Sequence, residues 1–438
     1  MSSTAIDSRS LKAGTAPKLK IRSVAGACAG NLVEWYDFFI YAYTAIYFSG
    51  SFFPDDDPSS RLLASAAIFA VGYFMRPLGG WLFGWLADTR GRKASMIISV
   101  SMMCGGSLMI AVLPTYQSIG IAAPLLLLLA RLFQGLSIGG EYGAGATYLS
   151  EVAPKGRRGL VSSFQYMTLI GGQLFAMLVL LIVQQFLTTP EIEAWGWRIP
   201  FFIGAIVAVV VMILRRTMEE TASEESMSRH GAGSLRELWQ HKKALAWVVA
   251  FTMGGSLYFY VFTSYTQKLL INTAGLDAKT VSLVMACALA VFMLLQPLFG
   301  LLADRIGIKK CVIAFTALGT ALAVPLLTAL SGATSPYVAF GLVMIAMVIA
   351  AFYTPIAGIL KADMFPTEVR ALGVGFPYAI ANAAFAGTAE FVGLSFKQAG
   401  KEPYFFYYVA VIVAVSLIGA LTMPNLTKHG YLDGDGQT

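Results

Sequence analysis

The chain contains 438 residues, of which 57% are hydrophobic and 13% are charged, and its mean hydropathy is +0.68. Soluble domains carry about 25% charged residues, so this composition excludes a soluble globular protein. The apolar runs are roughly 20 residues or longer and do not alternate with polar residues, which excludes an outer-membrane barrel. A formal net charge of +7 is compatible with a nucleic-acid partner, but the positions of the cations indicate membrane topology instead.

Twelve apolar spans are each long enough to cross a bilayer as a helix. They comprise residues 23–50, 61–87, 94–114, 119–150, 159–187, 197–216, 244–273, 279–303, 311–330, 336–361, 371–398 and 403–423. The polar start of the chain contains no cleavable signal peptide. We therefore expect an N-terminal tail (1–22), a six-helix half (23–216), a linker (217–243), a second six-helix half (244–423) and a C-terminal tail (424–438).

Two loop motifs occur twice, about half a chain apart. The first is Gly84-Trp-Leu-Ala-Asp88-Thr-Arg90-Gly-Arg92-Lys93, which recurs as Gly300-Leu-Leu-Ala-Asp304-Arg305. The second is Glu151-Val-Ala-Pro154-Lys-Gly-Arg157, which recurs as Asp363-Met-Phe-Pro366-Thr-Glu-Val-Arg370. Weak internal copies at this offset are typical of a transporter built from two parallel repeats.

The basic residues predict the orientation of the spans. Loops on one side, counted with both chain ends, hold 23 of the 31 Lys and Arg residues, including Lys361 and Arg370. Six lie at the opposite edges, and Arg76 and Arg131 fall inside spans. Because cytoplasmic loops carry the excess of Lys and Arg, both chain ends are predicted to be cytoplasmic.

Several motifs resemble one family of transporters. They are Asn31-Leu-Val-Glu34-Trp-Tyr-Asp37, Met75-Arg76-Pro-Leu-Gly79-Gly80, Arg131-Leu-Phe-Gln134-Gly135, Gly139-Gly140-Glu141-Tyr142 and Trp195-Gly-Trp-Arg198-Ile-Pro200. By these motifs residues 22–423 are similar to the metabolite:proton symporter family of the major facilitator superfamily. The resemblance implies an all-α membrane fold of twelve helices in two pseudo-symmetric halves, located in a bacterial inner membrane.

The same resemblance implies secondary active import of a small organic anion by proton symport through alternating access. The expected substrate is 2-oxoglutarate, and citrate, a C4 dicarboxylate, itaconate or a zwitterionic osmolyte remain alternatives. We expect a monomer in the lipid bilayer with no cofactor, no metal and no nucleic-acid partner. A membrane-embedded enzyme would need a nucleophile–base or metal cluster at depth, and His230, His241 and His429 all lie in loops or the tail. A receptor that does not transport would be expected to carry an added soluble domain.

Two acidic residues lie near the middle of the first span. Glu34 and Asp37 are three residues apart and therefore share a helix face. One ionised side chain at that depth costs roughly 3 kcal/mol, so we expect this pair to carry protons. The alternative is a structural ion pair. Glu141 and Arg131 of the fourth span are expected to be proton-path or structural residues, with a coupling role for Arg131 implied by its motif.

Arg76 is central in the second span, and its fork of donors fits a carboxylate in a bidentate way. We expect it to bind substrate. The alternative is that Arg76 only neutralises Glu34 or Asp37. Arg76 has both roles in turn if the carboxylates pair with it until substrate displaces them.

A dicarboxylate needs a second cation. Lys268, with Tyr260 on the same span, is the first candidate, and Arg198 is the second, with an interfacial role as its alternative. The side chains expected to complete the pocket, or else to join helices, are Tyr36, Gln173 and Asn382.

Six charged residues of the repeated motifs are predicted to form ion-pair networks and, together with helix ends, to close the cytoplasmic side in the outward-open state. They are Asp88, Arg92, Glu151, Arg157, Asp304 and Asp363. The alternative is simple anchoring by the positive charges.

Overall fold

The computed structural model describes residues 21–90, 92–216, 234–366, 369–426 and 430–432. Within these ranges, the side chains at 21–28, 84–85, 87–90, 92–93, 96, 140–141, 144, 148, 151–152 and 214 are not described. The predicted N-terminal tail, most of the predicted linker and part of the C-terminal tail therefore lie outside the described residues.

Within the described residues of the first half there are nine α-helices. They are α1 Ile21–Phe52, α2 Pro58–Phe74, α3 Arg76–Arg90, α4 Arg92–Val112, α5 Tyr116–Ile119, α6 Ala122–Val152, α7 Arg158–Phe186, α8 Thr189–Ala194 and α9 Ile199–Arg216. Asp57 begins α2 by accepting hydrogen bonds from the backbone N–H groups of Ser59 and Ser60. These bonds, the one from Ser59 above all, lower the pKa of the Asp57 carboxyl.

The second half follows a short helix, α10 Leu235–Leu238. Its helices are α11 Lys242–Tyr260, α12 Thr266–Asn272, α13 Ala278–Ile306, α14 Ile308–Ser331, α15 Pro336–Ala351, α16 Ala357–Ala362, α17 Arg370–Ala381, α18 Ala389–Gln398 and α19 Glu402–Thr422. Two wide π-helical turns, Val261–Tyr265 and Asn382–Ala386, join α11 to α12 and α17 to α18. In the second turn, the backbone N–H of Gly387 donates to the carbonyl of Asn382 at 2.9 Å.

The prediction of an all-α membrane fold is confirmed. Within the described ranges, ten helical stretches are long and apolar enough to cross a membrane, and Ile97–Val112 is a shorter apolar helix. With the 32-residue α1, which extends about 48 Å at 1.5 Å per residue, they account for the twelve predicted spans.

The two halves meet along two seams, α7 against α13 and α2–α3 against α17–α18. We call the end where α6 joins α7 and α13 joins α14 the motif face, since the repeated motifs lie there. At this face the Asp304 carboxylate of α13 accepts the backbone N–H groups of Gly159 and Leu160 at 2.7 and 3.0 Å. Those groups belong to the first turn of α7, whose N–H groups have no partner within the helix. A side chain of the second half thus caps a helix of the first half and keeps the motif face closed.

A second link at the motif face uses the end of the chain. The backbone N–H of Leu432 donates to Asp363 Oδ1 at 2.8 Å, and Arg158 Nη2 donates to the Leu432 carbonyl at 2.7 Å. The Leu432 segment therefore bridges the second half to the start of α7.

The opposite face remains open between the halves. A cleft of about 1160 Å³ lies there among the ends of α1, α2, α8, α12 and α18. Arg61, Asn272 and Lys397 are among the residues that line it. The structure therefore combines a closed motif face with an accessible opposite face.

We predict that Asp304→Ala shifts the protein toward a state open at the motif face. Two lost hydrogen bonds to a charged acceptor, each contributing about 1.5 kcal/mol or more, should raise the thiol-labelling rate of a buried Ser163→Cys reporter about a hundredfold. The measurement uses an impermeant thiol reagent and a background whose native cysteines are replaced. Asp277→Ala is the matched control, because Asp277 caps the other end of α13 from within its own half. Equal labelling in both variants would contradict the capping role.

Candidate functional site

Arg76 is the first residue of α3, and its position is set by the close packing of α2 and α3 on α6. A Cβ atom on Gly135 would collide with the carbonyl oxygen of Gly72, and one on Gly139 would collide with that of Arg76. Small residues four apart let two membrane helices approach this closely. The Gly135–Gly139 pair therefore fixes the backbone of Arg76 against α6.

The Arg76 guanidinium lies in a cage of aromatic rings. Its Cζ is 3.8 Å from the centroid of the Tyr73 ring, 4.5 Å from that of Phe38 and 5.4 Å from that of Trp35. The residue is 2% exposed, and none of its three guanidinium nitrogens has a hydrogen-bond partner among the residues that the structure describes. Ring faces attract a cation by about 0.5–2 kcal/mol each but accept no conventional hydrogen bond. The five N–H donors are thus available to an anion.

The cage is held in place by hydrogen bonds from α1 to α7. Trp35 Nε1 donates to Asn31 Oδ1 at 3.0 Å. Asn31 Nδ2 in turn donates to the Gln165 carbonyl at 2.9 Å and to Thr168 Oγ1 at 2.8 Å. These hydrogen bonds therefore hold the Trp35 ring in one orientation beside Arg76.

Asp37 is connected to Arg131 rather than to Arg76. Gln134 Nε2 donates to Asp37 Oδ2 at 2.7 Å, and Arg131 Nη1 donates to Gln134 Oε1 at 2.7 Å. For Asp37, the expected pairing with Arg76 is not found among the described contacts, because the amide of Gln134 directs this carboxylate toward α6. Glu34 is also buried, at 3% exposure. Arg131 Cζ lies 5.6 Å from the Phe38 ring that Arg76 also contacts, so two guanidinium groups flank one ring.

Lys268 is paired with a carboxylate that the sequence analysis did not identify. Its ammonium forms a buried ion pair with Glu390 of α18, and both side chains are 4% exposed. Tyr260 Oη donates to the other Glu390 oxygen at 3.2 Å. Lys268 and Tyr260 thus meet around Glu390. No pattern of the sequence distinguished Glu390, since it follows a stretch of small residues near the end of an apolar span.

The remaining predicted pocket residues differ in whether their polar atoms already have hydrogen-bond partners. Tyr36 Oη donates to the Pro200 carbonyl at 2.7 Å, and Gln173 Nε2 donates to Tyr43 Oη at 2.5 Å. Arg198 lies over the Trp197 ring and donates to the Leu113 carbonyl at 3.1 Å, which agrees with its interfacial alternative. Buried Asn382 Nδ2, by contrast, has no hydrogen-bond partner among the described residues.

The structure describes the side chains of only some of the predicted gating residues. Asp304 and Asp363 link the halves at the motif face, as described above, through backbone N–H groups. Arg157 is exposed. The side chains of Asp88, Arg92, Glu151 and Glu141 lie outside the described part of the structure.

Lys361 is a buried cation that the sequence analysis placed at the cytoplasmic edge. It is 1% exposed, and its Nζ donates to Tyr142 Oη at 3.0 Å. Arg370, assigned to the same edge, is 5% exposed and donates to the Phe365 carbonyl. The signal that would have shown this burial is the apolar composition beyond Lys361, where Ala362, Met364 and Phe365 continue the span.

Comparisons with known proteins agree with this architecture. Residues 23–223 match the family model described as Sugar (and other) transporter, and residues 264–431 match that of the Major Facilitator Superfamily. The alpha-ketoglutarate permease of Escherichia coli (strain K12) is 53% identical over 409 residues, which cover 93% of this chain and 95% of that protein. The citrate-proton symporter of Klebsiella pneumoniae is 34% identical, with 85% and 84% covered.

A solved structure shows the same fold. It is the proton:xylose symporter XylE bound to 6-bromo-6-deoxy-D-glucose, with a TM-score of 0.74 and 19% identity over 92% of this chain and 94% of that one.

We predict that Lys268→Met destabilises the protein by about 3–5 kcal/mol, because Glu390 would remain buried without its cation. The double variant with Glu390→Gln should regain most of this loss, since a neutral amide can stay bonded to Tyr260. Thermal unfolding in mild detergent measures the cycle, with Lys401→Met, at an exposed lysine of the same half, as the control. A double variant no more stable than Lys268→Met would contradict the pairing energy.

Proposed function

We propose, since the chain belongs to the major facilitator superfamily, that it is a secondary transporter that imports 2-oxoglutarate (α-ketoglutarate) together with protons. The proposal assigns it to a bacterial inner membrane as a monomer with both termini in the cytoplasm. The relative at 53% identity is an alpha-ketoglutarate permease, which supports this substrate. The excess of Lys and Arg near the motif face supports the orientation, so the open cleft faces outward.

The observation that carries the proposal is the buried Arg76 guanidinium without a hydrogen-bond partner among the described residues. A buried charge without a counter-charge costs several kcal/mol, and a structure keeps it where a ligand supplies the missing charge. A carboxylate fits the guanidinium fork with two parallel hydrogen bonds. Asn382, with its unpartnered amide nitrogen, is the proposed donor to a further oxygen of the substrate.

The proposed proton carriers are Asp37 and Glu34 on the helix that also carries Trp35 and Phe38 of the cage. Asp37 Oδ2 accepts from Gln134, and Oδ1 has no hydrogen-bond partner among the described residues. When a carboxylate binds to Arg76, an added negative charge enters the same low-dielectric region. Protonation of the acidic pair compensates for that charge, and in this way the anion and proton fluxes are coupled.

The membrane potential restricts the proton number. A dianion that moves inward against 100 mV costs about 4.6 kcal/mol, and each proton returns about 2.3 kcal/mol. With one proton the complex stays negative, and the potential opposes uptake. Strong accumulation therefore requires two protons or a substantial pH gradient, and the acidic pair can supply two.

Alternating access then involves the two links at the motif face. These links hold the proposed cytoplasmic side closed. Asp304 caps the start of α7, and Leu432 joins Asp363 to Arg158. The proposed cycle breaks these links while the outer cleft closes. Asp88, Arg92, Glu151 and Arg157 are proposed to contribute to the same closure.

The remaining predicted residues have narrower proposed roles. Tyr36 and Gln173 shape the pocket through the hydrogen bonds they already make, and Arg131 and Glu141 belong to the proton path. Lys268 reaches a substrate only by leaving Glu390, while Tyr260 stays with that carboxylate. Arg198 is proposed to fix the outer end of α9.

Citrate is the second candidate substrate, because a citrate-proton symporter matches at 34% identity. Uptake of labelled 2-oxoglutarate in proteoliposomes, in competition with citrate, C4 dicarboxylates, itaconate and betaine, separates the candidates. The proposal requires that unlabelled 2-oxoglutarate compete best.

We predict that Arg76→Gln lowers 2-oxoglutarate uptake about a hundredfold or more, because two charge-assisted hydrogen bonds of about 1.5 kcal/mol or more each are lost. Arg76→Lys should recover only a small part, since an ammonium lacks the planar fork. Arg216→Gln, at an exposed arginine of α9, is the control. Normal accumulation by Arg76→Gln would refute the proposed site.

We predict that Asp37→Asn abolishes accumulation driven by a pH gradient but preserves exchange of substrate across the membrane. The asparagine oxygen can still accept from Gln134, so the local structure persists while one titratable site is lost. Uptake is measured in vesicles with the electrical potential collapsed. Asp57→Asn is the control, because the pKa of Asp57 is lowered by its hydrogen bond from Ser59 and this acid stays ionised. Accumulation by Asp37→Asn equal to wild type would assign the proton to another group.

A further inference from the structure

Lys361 occupies a second site that is built for an anion. Its Nζ lies 4.3 Å from the centroid of the Tyr378 ring and 5.0 Å from that of Tyr142. The hydroxyl of Tyr142 is the one hydrogen-bond acceptor that the described structure gives this ammonium, although an ammonium has three N–H donors. The structure shows no carboxylate within ion-pair distance among the described residues. The Lys361 Nζ is therefore buried with one hydrogen bond to a neutral hydroxyl and two ring faces.

Tyr378 connects this site to Arg76. Its ring faces the Lys361 side chain, and its helix, α17, packs against α3, which begins at Arg76. Gly139 of α6, which closely approaches the Arg76 carbonyl, precedes Tyr142 by three residues and so lies on the same side of α6. Asn382, with its free amide nitrogen, follows Tyr378 by four residues and thus lies on the same face of that helix. The surroundings of Lys361 and of Arg76 are therefore formed by packed elements of the same region, α3, α6 and α17.

We propose that Lys361 binds the second carboxylate of the substrate and thereby sets the preference for dicarboxylates over monocarboxylates. This inference rests on the proposed function, in which Arg76 binds the first carboxylate. Lys361 suits this role better than Lys268 does, because Lys268 already forms an ion pair with Glu390. A substrate carboxylate at Lys268 would have to displace that partner, whereas at Lys361 it fills free donor positions.

The Lys361 site is assembled from both halves of the protein. Tyr142 belongs to α6 of the first half, while Tyr378 and Lys361 belong to α17 and α16 of the second. The rings of Tyr142 and Tyr378 stack with a centroid distance of 3.6 Å and an interplanar angle of 11°.

Glycines make this contact possible, because a Cβ atom on Gly143 would lie 2.8 Å from Gly375 Cα. When the halves separate at the motif face, Tyr142 leaves Lys361. The second carboxylate is thus held by a site that is complete only while this face is closed, and the proposed cycle weakens its binding on the cytoplasmic side.

The test compares two ligands of equal chain length in full-length protein reconstituted in nanodiscs. Calorimetric titration measures the dissociation constants of 2-oxoglutarate and of 2-oxovalerate, which lacks the second carboxylate. Lys361→Met should weaken 2-oxoglutarate binding about ten- to a hundredfold, the loss of one or two charge-assisted hydrogen bonds, and leave 2-oxovalerate binding nearly unchanged. Lys361→Arg should keep much of the preference, and Lys310→Met, at an exposed lysine of the same half, should keep all of it.

Thermal stability provides a readout that a structural role would not give. A buried charge with incomplete pairing opposes folding, so the melting temperature of unliganded Lys361→Met should equal or exceed that of the wild type. If Lys361→Met yields too little protein, Lys361→Gln against Lys361→Arg gives the same comparison.

The outcomes separate the two proposals. A wild-type protein that binds 2-oxoglutarate, together with an unchanged dicarboxylate preference in Lys361→Met, overturns the role of Lys361 and leaves the proposed function intact. A wild-type protein that binds no 2-oxoglutarate overturns the proposed function and this inference with it. A lost preference with preserved stability supports the inference.

Discussion

The structure depends on the burial of one charged side chain, the guanidinium of Arg76, between its helices. Arg76 lies among aromatic rings, without a hydrogen-bond partner in the described part of the chain. Rings compensate for only part of the solvation that the guanidinium loses. Rigid packing supplies the remainder, through the Gly135–Gly139 contact with α2 and α3 and through the Asn31 bonds that fix Trp35. In the proposed function, this uncompensated burial favours the binding of an anion.

Most of the fold was predictable, because lipid imposes a simple rule on composition and length. Apolar runs of about 20 residues give the spans, and duplicated loop motifs give the division into halves. The burial of Arg76 was predictable for the same reason, since it lies far from both ends of its span. The burial of Lys361 was not predicted, because this lysine stands at the end of an apolar run, where a basic residue normally anchors the helix at the interface.

Partnerships between helices were beyond prediction from the sequence. Gln134 accepts from Arg131 and donates to Asp37, and nothing in its own helix shows that α1 supplies the carboxylate. Glu390 reaches Lys268 although 122 residues separate them. Such pairs depend on how helices are arranged around each other, whereas composition and periodicity describe each helix by itself. The same limit explains why the sequence predicted that Asp304 would act together with helix ends at this face, but not that the helix would be α7.

The two π-helical turns, Val261–Tyr265 and Asn382–Ala386, determine which way the later parts of their helices point. Such a turn accommodates one extra residue, and one residue corresponds to about 100° of rotation around the axis. Lys268 and Glu390 both follow these turns, so the angular phase of each is offset from that of a regular helix. Their meeting thus depends on two matched offsets, and a helical wheel drawn through either span without interruption would assign the wrong face to every residue beyond the turn.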